Sequence, residues 1–233
     1  MVDVEPDWPA PDGVRAVTTT RKSGNLATHV GDNPVAVKKN RENLQNRLGL
    51  PHDPWWLNQV HKTAVVELPA ESQIAEADGS WTSMRGVVCA VLTADCMPII
   101  VTNRLGDRIA AIHAGWRGLA AGIIEQGVSK FQNDGDELMV WLGPSIGQHS
   151  YEIGDEVREI FCRHSEEAEE MFVPSDGGRW LASMTGLARQ QLQQLGIYSV
   201  YGGEWDTFTD SERFFSYRRD ENTGRLATLI WLE

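Results

Sequence analysis

The sequence predicts a single α/β domain over residues 1–233, built on mixed β-sheets. Two observations predict it. Short apolar, β-branched runs alternate with amphipathic stretches along the chain, and no linker, low-complexity segment or strict repeat divides them. With 233 residues and 41% hydrophobic content, the chain buries a sizeable core.

The elements follow in order. Val14–Thr20 is β-branched and reads as a strand. Asp32-Asn33-Pro34 supplies a capping oxygen and a first-turn proline, opening a helix that Gly49 closes. Trp55–Val60 and Thr63–Leu68 read as strands flanking His61. Val87–Thr93 and Pro98–Thr102 read as short buried strands joined by the sharp connection Ala94-Asp95-Cys96-Met97. Ile109–His113 is a strand leading into Gly115-Trp116-Arg117-Gly118 and then one helix over Leu119–Phe131. Leu138–Leu142 is a strand. Asp155–His164 and Leu181–Leu195 read as helices, and Tyr198–Tyr201 and Leu226–Leu232 as late strands. Ser165–Gly178, with its acidic run, reads as a solvated loop.

A formal charge of -12 repels nucleic acid and anionic membranes, so neither is expected as a partner. The apolar runs are too short to span a bilayer, and the N-terminus lacks a basic start and an apolar core. Three cysteines without a Cys-X-X-Cys spacing fit a reduced, cytoplasmic protein. A monomer is the simplest expectation.

Three residues could do chemistry. Cys96 follows Asp95 in a tight turn at a strand end, where α/β proteins usually build sites; the alternative is an inert core thiol. His113 ends a strand before a glycine-flanked turn. There the helix N-terminus and Arg117 form a candidate phosphate site; the alternative is a core histidine beside a surface arginine. His61 shares a strand face with Gln59, and a lone histidine of this kind is more often structural. Together, two histidines and a thiolate suit zinc and leave a fourth position open, as catalytic zinc sites do. The same ligand types also serve copper. No zinc-finger spacing links them, so the fold must assemble the cluster. His29 could line a pocket wall, while His52, His149 and His164 lie in polar surroundings and are expected at the surface.

Several strings resemble the YfiH-like family, also called the laccase-domain or multicopper polyphenol oxidase family. They are Thr18-Thr19-Thr20-Arg21, Val30-Gly31-Asp32, Asn58-Gln59-Val60-His61 and Leu92-Thr93-Ala94-Asp95-Cys96-Met97-Pro98. Ala111-Ile112-His113-Ala114-Gly115-Trp116-Arg117-Gly118, Gly143-Pro144-Ser145-Ile146-Gly147 and Phe214-Phe215-Ser216-Tyr217-Arg218-Arg219-Asp220 complete the set. The resemblance implies one domain with mixed sheets layered between helices, α/β/β/α-like. It implies His61, Cys96 and His113 as metal ligands, with Zn2+ in most relatives and Cu2+ claimed in others. It also implies phosphorolysis of adenosine, inosine and methylthioadenosine, and deamination of adenosine. Some relatives are named for editing peptidoglycan precursors. Three departures stand out: a short segment after Arg21, Asp206 where the family has cysteine, and Ser183 where an aspartate is common.

The expected function is therefore a zinc-dependent purine nucleoside phosphorylase with adenosine deaminase activity, its partners a purine nucleoside and phosphate. Arg117, the helix N-terminus and Arg21 would hold phosphate. Asp95 would move protons, and Gln59 and Asn58 would orient ribose or base. The alternatives are a copper polyphenol oxidase, a metal-free hydrolase with Cys96 as nucleophile, and a non-catalytic binding protein. Six histidines without a His-X-His pair weigh against a multicopper oxidase.

Overall fold

The computed structural model describes residues 3–70, 76–132 and 135–233. The strands are β1 (Val14–Thr18), β2 (Val65–Glu67), β3 (Gly79–Thr82), β4 (Val88–Thr93), β5 (Met97–Asn103) and β6 (Ile109–Ala114). Then come β7 (Leu138–Leu142), β8 (Glu152–Ile153), β9 (Phe172–Ser175), β10 (Arg179–Ala182), β11 (Ser199–Gly202) and β12 (Leu226–Leu232). The helices are α1 (Pro34–Leu48), α2 (Trp116–Ala120), α3 (Ile123–Val128), α4 (Asp155–His164), α5 (Met184–Gln194) and α6 (Tyr217–Asp220).

Two sheets dominate. A six-stranded mixed sheet runs in the order β11-β7-β5-β6-β3-β2, and an antiparallel one in the order β1-β12-β4. A third, β8-β10-β9, is a small appendage. Every residue of β4, β5, β6, β7 and β12 is buried, which explains their continuous apolar runs. Cys89, Val91 and Ile230 of one main sheet pack against Ile100, Ala111 and Trp141 of the other. On the outer face of the smaller main sheet, Leu44 of α1 packs with Val17, Ala90 and Leu229. On the far face of the larger sheet, α2, α3, α4 and α5 cover Ile99, Ile112 and Val140. The layers therefore run helix, sheet, sheet, helix. Among the described residues no helix is long and apolar enough to cross a membrane.

Asn33 caps α1 through its side chain, accepting from Val35 N at 2.9 Å and Ala36 N at 3.4 Å. Four local expectations need correction. Trp55–Val60 is not a strand: only Trp55 bridges to Cys89, and the backbone donors further on go to a side chain instead. The single helix over Leu119–Phe131 is two short helices, because Gly122 turns left-handed at φ 89. Ser165–Gly178 contains a 3-10 turn and β9, anchored by buried Ala168 and Phe172. Leu181–Leu195 begins as strand β10, and Ser183 caps the true helix α5 by accepting from Gly186 N at 3.0 Å.

Candidate metal centre

The site is organised around a carboxylate that carries no distinctive sequence motif. Asp78 is fully buried just ahead of β3. Its Oδ1 accepts from the His61 backbone N–H and from His113 Nδ1, both at 2.8 Å. Its Oδ2 accepts from Lys62 N at 2.7 Å and Val60 N at 3.2 Å. Four donors thus converge on one ion, as burying a charge requires. They curl residues 60–62 around it and fix His61 at φ 59, a left-handed conformation that histidine tolerates better than most residues. Because a carboxylate only accepts, His113 carries its proton on Nδ1 and turns Nε2 to the cavity. Burial works against the Asp78 charge, yet the bonds from His113 and Lys62 hold its carboxyl below the usual range.

Cys96 sits in the turn that carries the chain from β4 in one sheet to β5 in the other. Asp95 makes that turn at φ 84, and its carboxylate holds the strained conformation in place. Its oxygens accept from Thr207 Oγ1 at 2.6 Å, Ser216 Oγ at 3.0 Å and Arg218 N at 2.7 Å. Register then places Cys96 beside His113, since Met97 pairs with Ala114 and Pro98 with His113. Burial disfavours the thiolate, but the His113 charge and hydrogen bonds from both histidines outweigh it, lowering the Cys96 pKa to about 6. Burial likewise opposes the imidazolium, while the Cys96 charge and Asp78 raise His113 to about 9.

The ligand atoms of His61, Cys96 and His113 lie within 4.8 Å of one another. Cys96 Sγ is 3.8 Å from His61 Nε2, and the two imidazole rings cross at 76°. Bonds of about 2.0–2.3 Å at tetrahedral angles would set ligand atoms roughly 3.3–3.8 Å apart. The trio therefore fits a small divalent ion after a slight contraction, and the Asp78–His113 bond is the orienting contact such ligands use. Among the described residues this is the one such cluster.

Gly115 explains how the three approach so closely. A Cβ there would lie 2.9 Å from His61 Cδ2 and 3.1 Å from Cys96 Sγ. Gly115→Ala should therefore keep the fold and push the ligands apart. We expect at least a tenfold loss of metal affinity with normal circular dichroism, measured by chelator competition; unchanged affinity would refute the packing argument.

The trio opens into a cavity of about 400 Å³, lined also by His29, Gln59, Leu92, Thr93, Ala94, Tyr217 and Arg225. That volume suits a small ligand. Gln59 is fixed as a wall: its amide bonds Leu92 O at 2.8 Å and Leu92 N at 2.7 Å. Asn58 lines a second cavity that shares His29 and Leu92 with the first. Neither arginine expected to hold phosphate lines either cavity. Arg117 is exposed and stacks over Trp116 at 4.3 Å, and α2 behind it has only five residues. Arg21 donates to Ser211 O at 2.6 Å and stacks on Phe215. Asp95 spends its carboxylate on the turn, which makes it a positioning residue for Cys96. His29 does line the wall, and His52, His149 and His164 are exposed.

Residue patterns missed Asp78, Tyr217 and Arg225. Asp78 had one signal, an acid between Ala77 and Gly79 next to a strand without charge. Tyr217 and Arg225 lay in a quoted string and a late strand edge, with nothing to tie them to His61. Of the departures, Asp206 accepts from Gly147 N and Phe208 N, both at 2.9 Å, so it braces the loops behind Cys96.

The family model for multi-copper polyphenol oxidoreductase laccase matches residues 13–233. The chain belongs to this YfiH-like laccase-domain family. A Pseudomonas aeruginosa protein named purine nucleoside phosphorylase is 49% identical over 98% of this chain and 97% of its own. The Escherichia coli purine nucleoside phosphorylase YfiH is 44% identical, with 98% of each chain covered. Among solved structures, a Neisseria meningitidis protein aligns with TM-score 0.94 and 42% identity over 99% of both chains. The family's layered fold is thus the one this chain adopts.

Proposed function

We propose that this chain is a zinc-dependent purine nucleoside phosphorylase acting on adenosine, inosine and methylthioadenosine, with adenosine deaminase activity at the same site. The observation that carries the reading is a ligand trio opening into a nucleoside-sized cavity, in a chain whose relatives bear the phosphorylase name. In phosphorolysis a phosphate oxygen bonds to C1′ of the ribose as the C1′–N9 bond breaks. The electron pair leaves on the purine, which takes up a proton, giving free base and ribose 1-phosphate. His61, Cys96 and His113 would hold a divalent ion, which would supply Lewis-acid chemistry at the site when bound. The chain's own residues do the rest. Asp78 fixes the His113 tautomer, Asp95 fixes the Cys96 turn, and the Gln59–Leu92 pair closes one wall. Tyr217, 56% exposed at the rim, offers an aromatic face for the base. Deamination differs in its nucleophile, water instead of phosphate, and in the atom presented, C6 of adenine.

Six histidines and one ligand cluster among the described residues favour this reading over the oxidase that the family description names. The test is inosine incubated with metal-loaded protein, with and without phosphate. Hypoxanthine and ribose 1-phosphate should appear only with phosphate. Hypoxanthine with free ribose in phosphate-free buffer would replace the assignment with a hydrolase, and oxygen uptake with a phenol would favour the oxidase.

A further inference from the structure

A phosphorylase needs a place for its anion, and both arginines suggested by sequence lie away from the cavities. Positive charge gathers elsewhere. Arg225 lines the same cavity as the ligand trio, and Arg41 lines the adjoining one of about 990 Å³. His29 belongs to both linings and so stands where the two cavities meet.

Among the described residues neither guanidinium forms an ion pair, and the Cys96 and Asp95 charges act on Arg225 only beyond contact distance. The Arg225 guanidinium donates to two backbone carbonyls, Thr223 O at 2.9 Å and Gly224 O at 3.1 Å, and faces the Tyr217 ring at 5.8 Å. Arg41 donates from Nε to Leu26 O at 2.8 Å and stacks over Trp56 at 4.1 Å. Each is half-buried, and among the described residues no carboxylate comes within ion-pair distance of either. Their pKa values are lowered first by burial, the mark of cations stripped of water without full compensation. Both charges also lower the pKa of His29, which places all three in one electrostatic neighbourhood. In a chain with a formal charge of -12, two arginines outside any ion pair at one cavity junction are a local concentration of positive charge. Asp53, which is exposed, is the acidic residue in the lining of the second cavity. The backbone contacts hold each guanidinium in place while leaving further N–H groups on each fork to meet a ligand oxygen.

We propose that Arg225 and Arg41, with His29 between them, form a phosphoryl-binding subsite at the junction of the two cavities. It deepens the phosphorylase reading and rests on it for the anion's identity, inorganic phosphate. The same chemistry would accept the 5′-phosphate of a purine nucleotide. Arg225, on the metal side, sets phosphate beside the ribose, and Arg41 completes the clamp from the second cavity.

The experiment is equilibrium dialysis of radiolabelled inorganic phosphate against metal-loaded full-length protein, with steady-state KM for phosphate and inosine measured in parallel. Losing a charge-assisted contact should weaken phosphate binding about 10- to 100-fold in Arg225→Gln, with the inosine KM much less affected. Arg225→Lys, which keeps the charge, should recover part of the binding. Because Arg225 also props the Thr223 and Gly224 carbonyls, Arg41→Gln serves as the second variant, and it should weaken phosphate binding in the same direction. Wild-type phosphate affinity in both glutamine variants would overturn the proposal, as would a loss carried by Arg117→Gln instead. Binding without turnover would keep the subsite and sink the phosphorylase reading. If the wild type ignores inorganic phosphate but holds a purine 5′-monophosphate tighter than its nucleoside, and Arg225→Gln erases the difference, the subsite serves a nucleotide.

Discussion

Cys96→Ala is expected to strip the site of its metal and reduce turnover by a hundredfold or more, while the protein stays folded. The argument rests on where the side chain sits. Cys96 is only partly buried at the cavity floor, so truncation leaves no sealed core void, and the stability cost should stay near about 1 kcal/mol. What it removes is a thiolate between two histidines. Two imidazoles alone make a weak site, and losing a Lewis acid worth several kcal/mol corresponds to at least about a hundredfold in rate. The thiol's chemistry gives a second readout. In metal-free protein the Cys96 pKa is lowered to about 6, whereas burial pushes the Cys89 thiol up to about 12. The lowered value means that the thiolate form is already present at neutral pH and is lost only as the pH falls through about 6. Alkylation by iodoacetamide should therefore report one fast site with a midpoint near that pH, and metal should protect it. Metal content and activity retained in Cys96→Ala would show that Cys96 is neither ligand nor nucleophile. Activity that survives metal removal but not alkylation would instead support the cysteine hydrolase.

Much of the architecture was legible because buried strands write themselves in runs. Val88–Thr93, Met97–Asn103, Ile109–Ala114 and Leu226–Leu232 are wholly buried, so nothing polar interrupts them. The Asn33-Pro34 start of α1 was readable for the same local reason: cap and first turn are neighbours in sequence. The errors fell where a local segment is held by something distant. Residues 55–60 looked like a strand, but beyond the Trp55 bridge to β4 they form no ladder: Gln59 reaches Leu92 through its side chain, and the Val60 amide answers to Asp78. Gly122 and Ser183 each carried a signal, a breaker and a cap, that an apolar stripe overrode.

The site divides along the same line. His61, Cys96 and His113 were identifiable by residue type and by the family resemblance, and the fold brings them together. The Asp78 carboxylate that holds His61 and His113 was not identifiable, because a carboxylate that bonds backbone amides leaves no spacing rule behind. Phosphate was expected at Arg117 because a glycine-flanked turn before a helix resembles an anion site. The turn's glycine serves a different need, the close approach of His61 and Cys96. That explains how the ligand set could be read from the chain while the surrounding electrostatics required coordinates.

Asp78→Asn should be the most damaging isosteric substitution in the molecule. The change keeps shape and replaces an acceptor-only ion with a group that also donates. Whichever way the amide faces, its NH2 meets donors: His61 N and His113 Nδ1 on one side, Val60 N and Lys62 N on the other. Two consequences separate cleanly. Removing one partner of a buried charged network costs about 3–5 kcal/mol, which for a chain of this size is a fall in Tm of order 10 °C. The lowered pKa of Asp78 gives the sign of the pH effect in the native protein. Its contribution is present above the ordinary carboxylate pKa and is lost as pH falls through the depressed value, so the gap between wild type and variant should close only in strong acid. The second consequence is chemical: without a carboxylate to accept from Nδ1, His113 loses its fixed tautomer, and metal affinity should fall about 10- to 100-fold. Thermal denaturation of metal-free protein isolates the first effect, and chelator competition at a temperature where both proteins are folded isolates the second. A variant that melts within about 2 °C of wild type would show that Asp78 is not the keystone of residues 60–62. One that melts early but binds metal normally would leave it a structural anchor with no hold on His113.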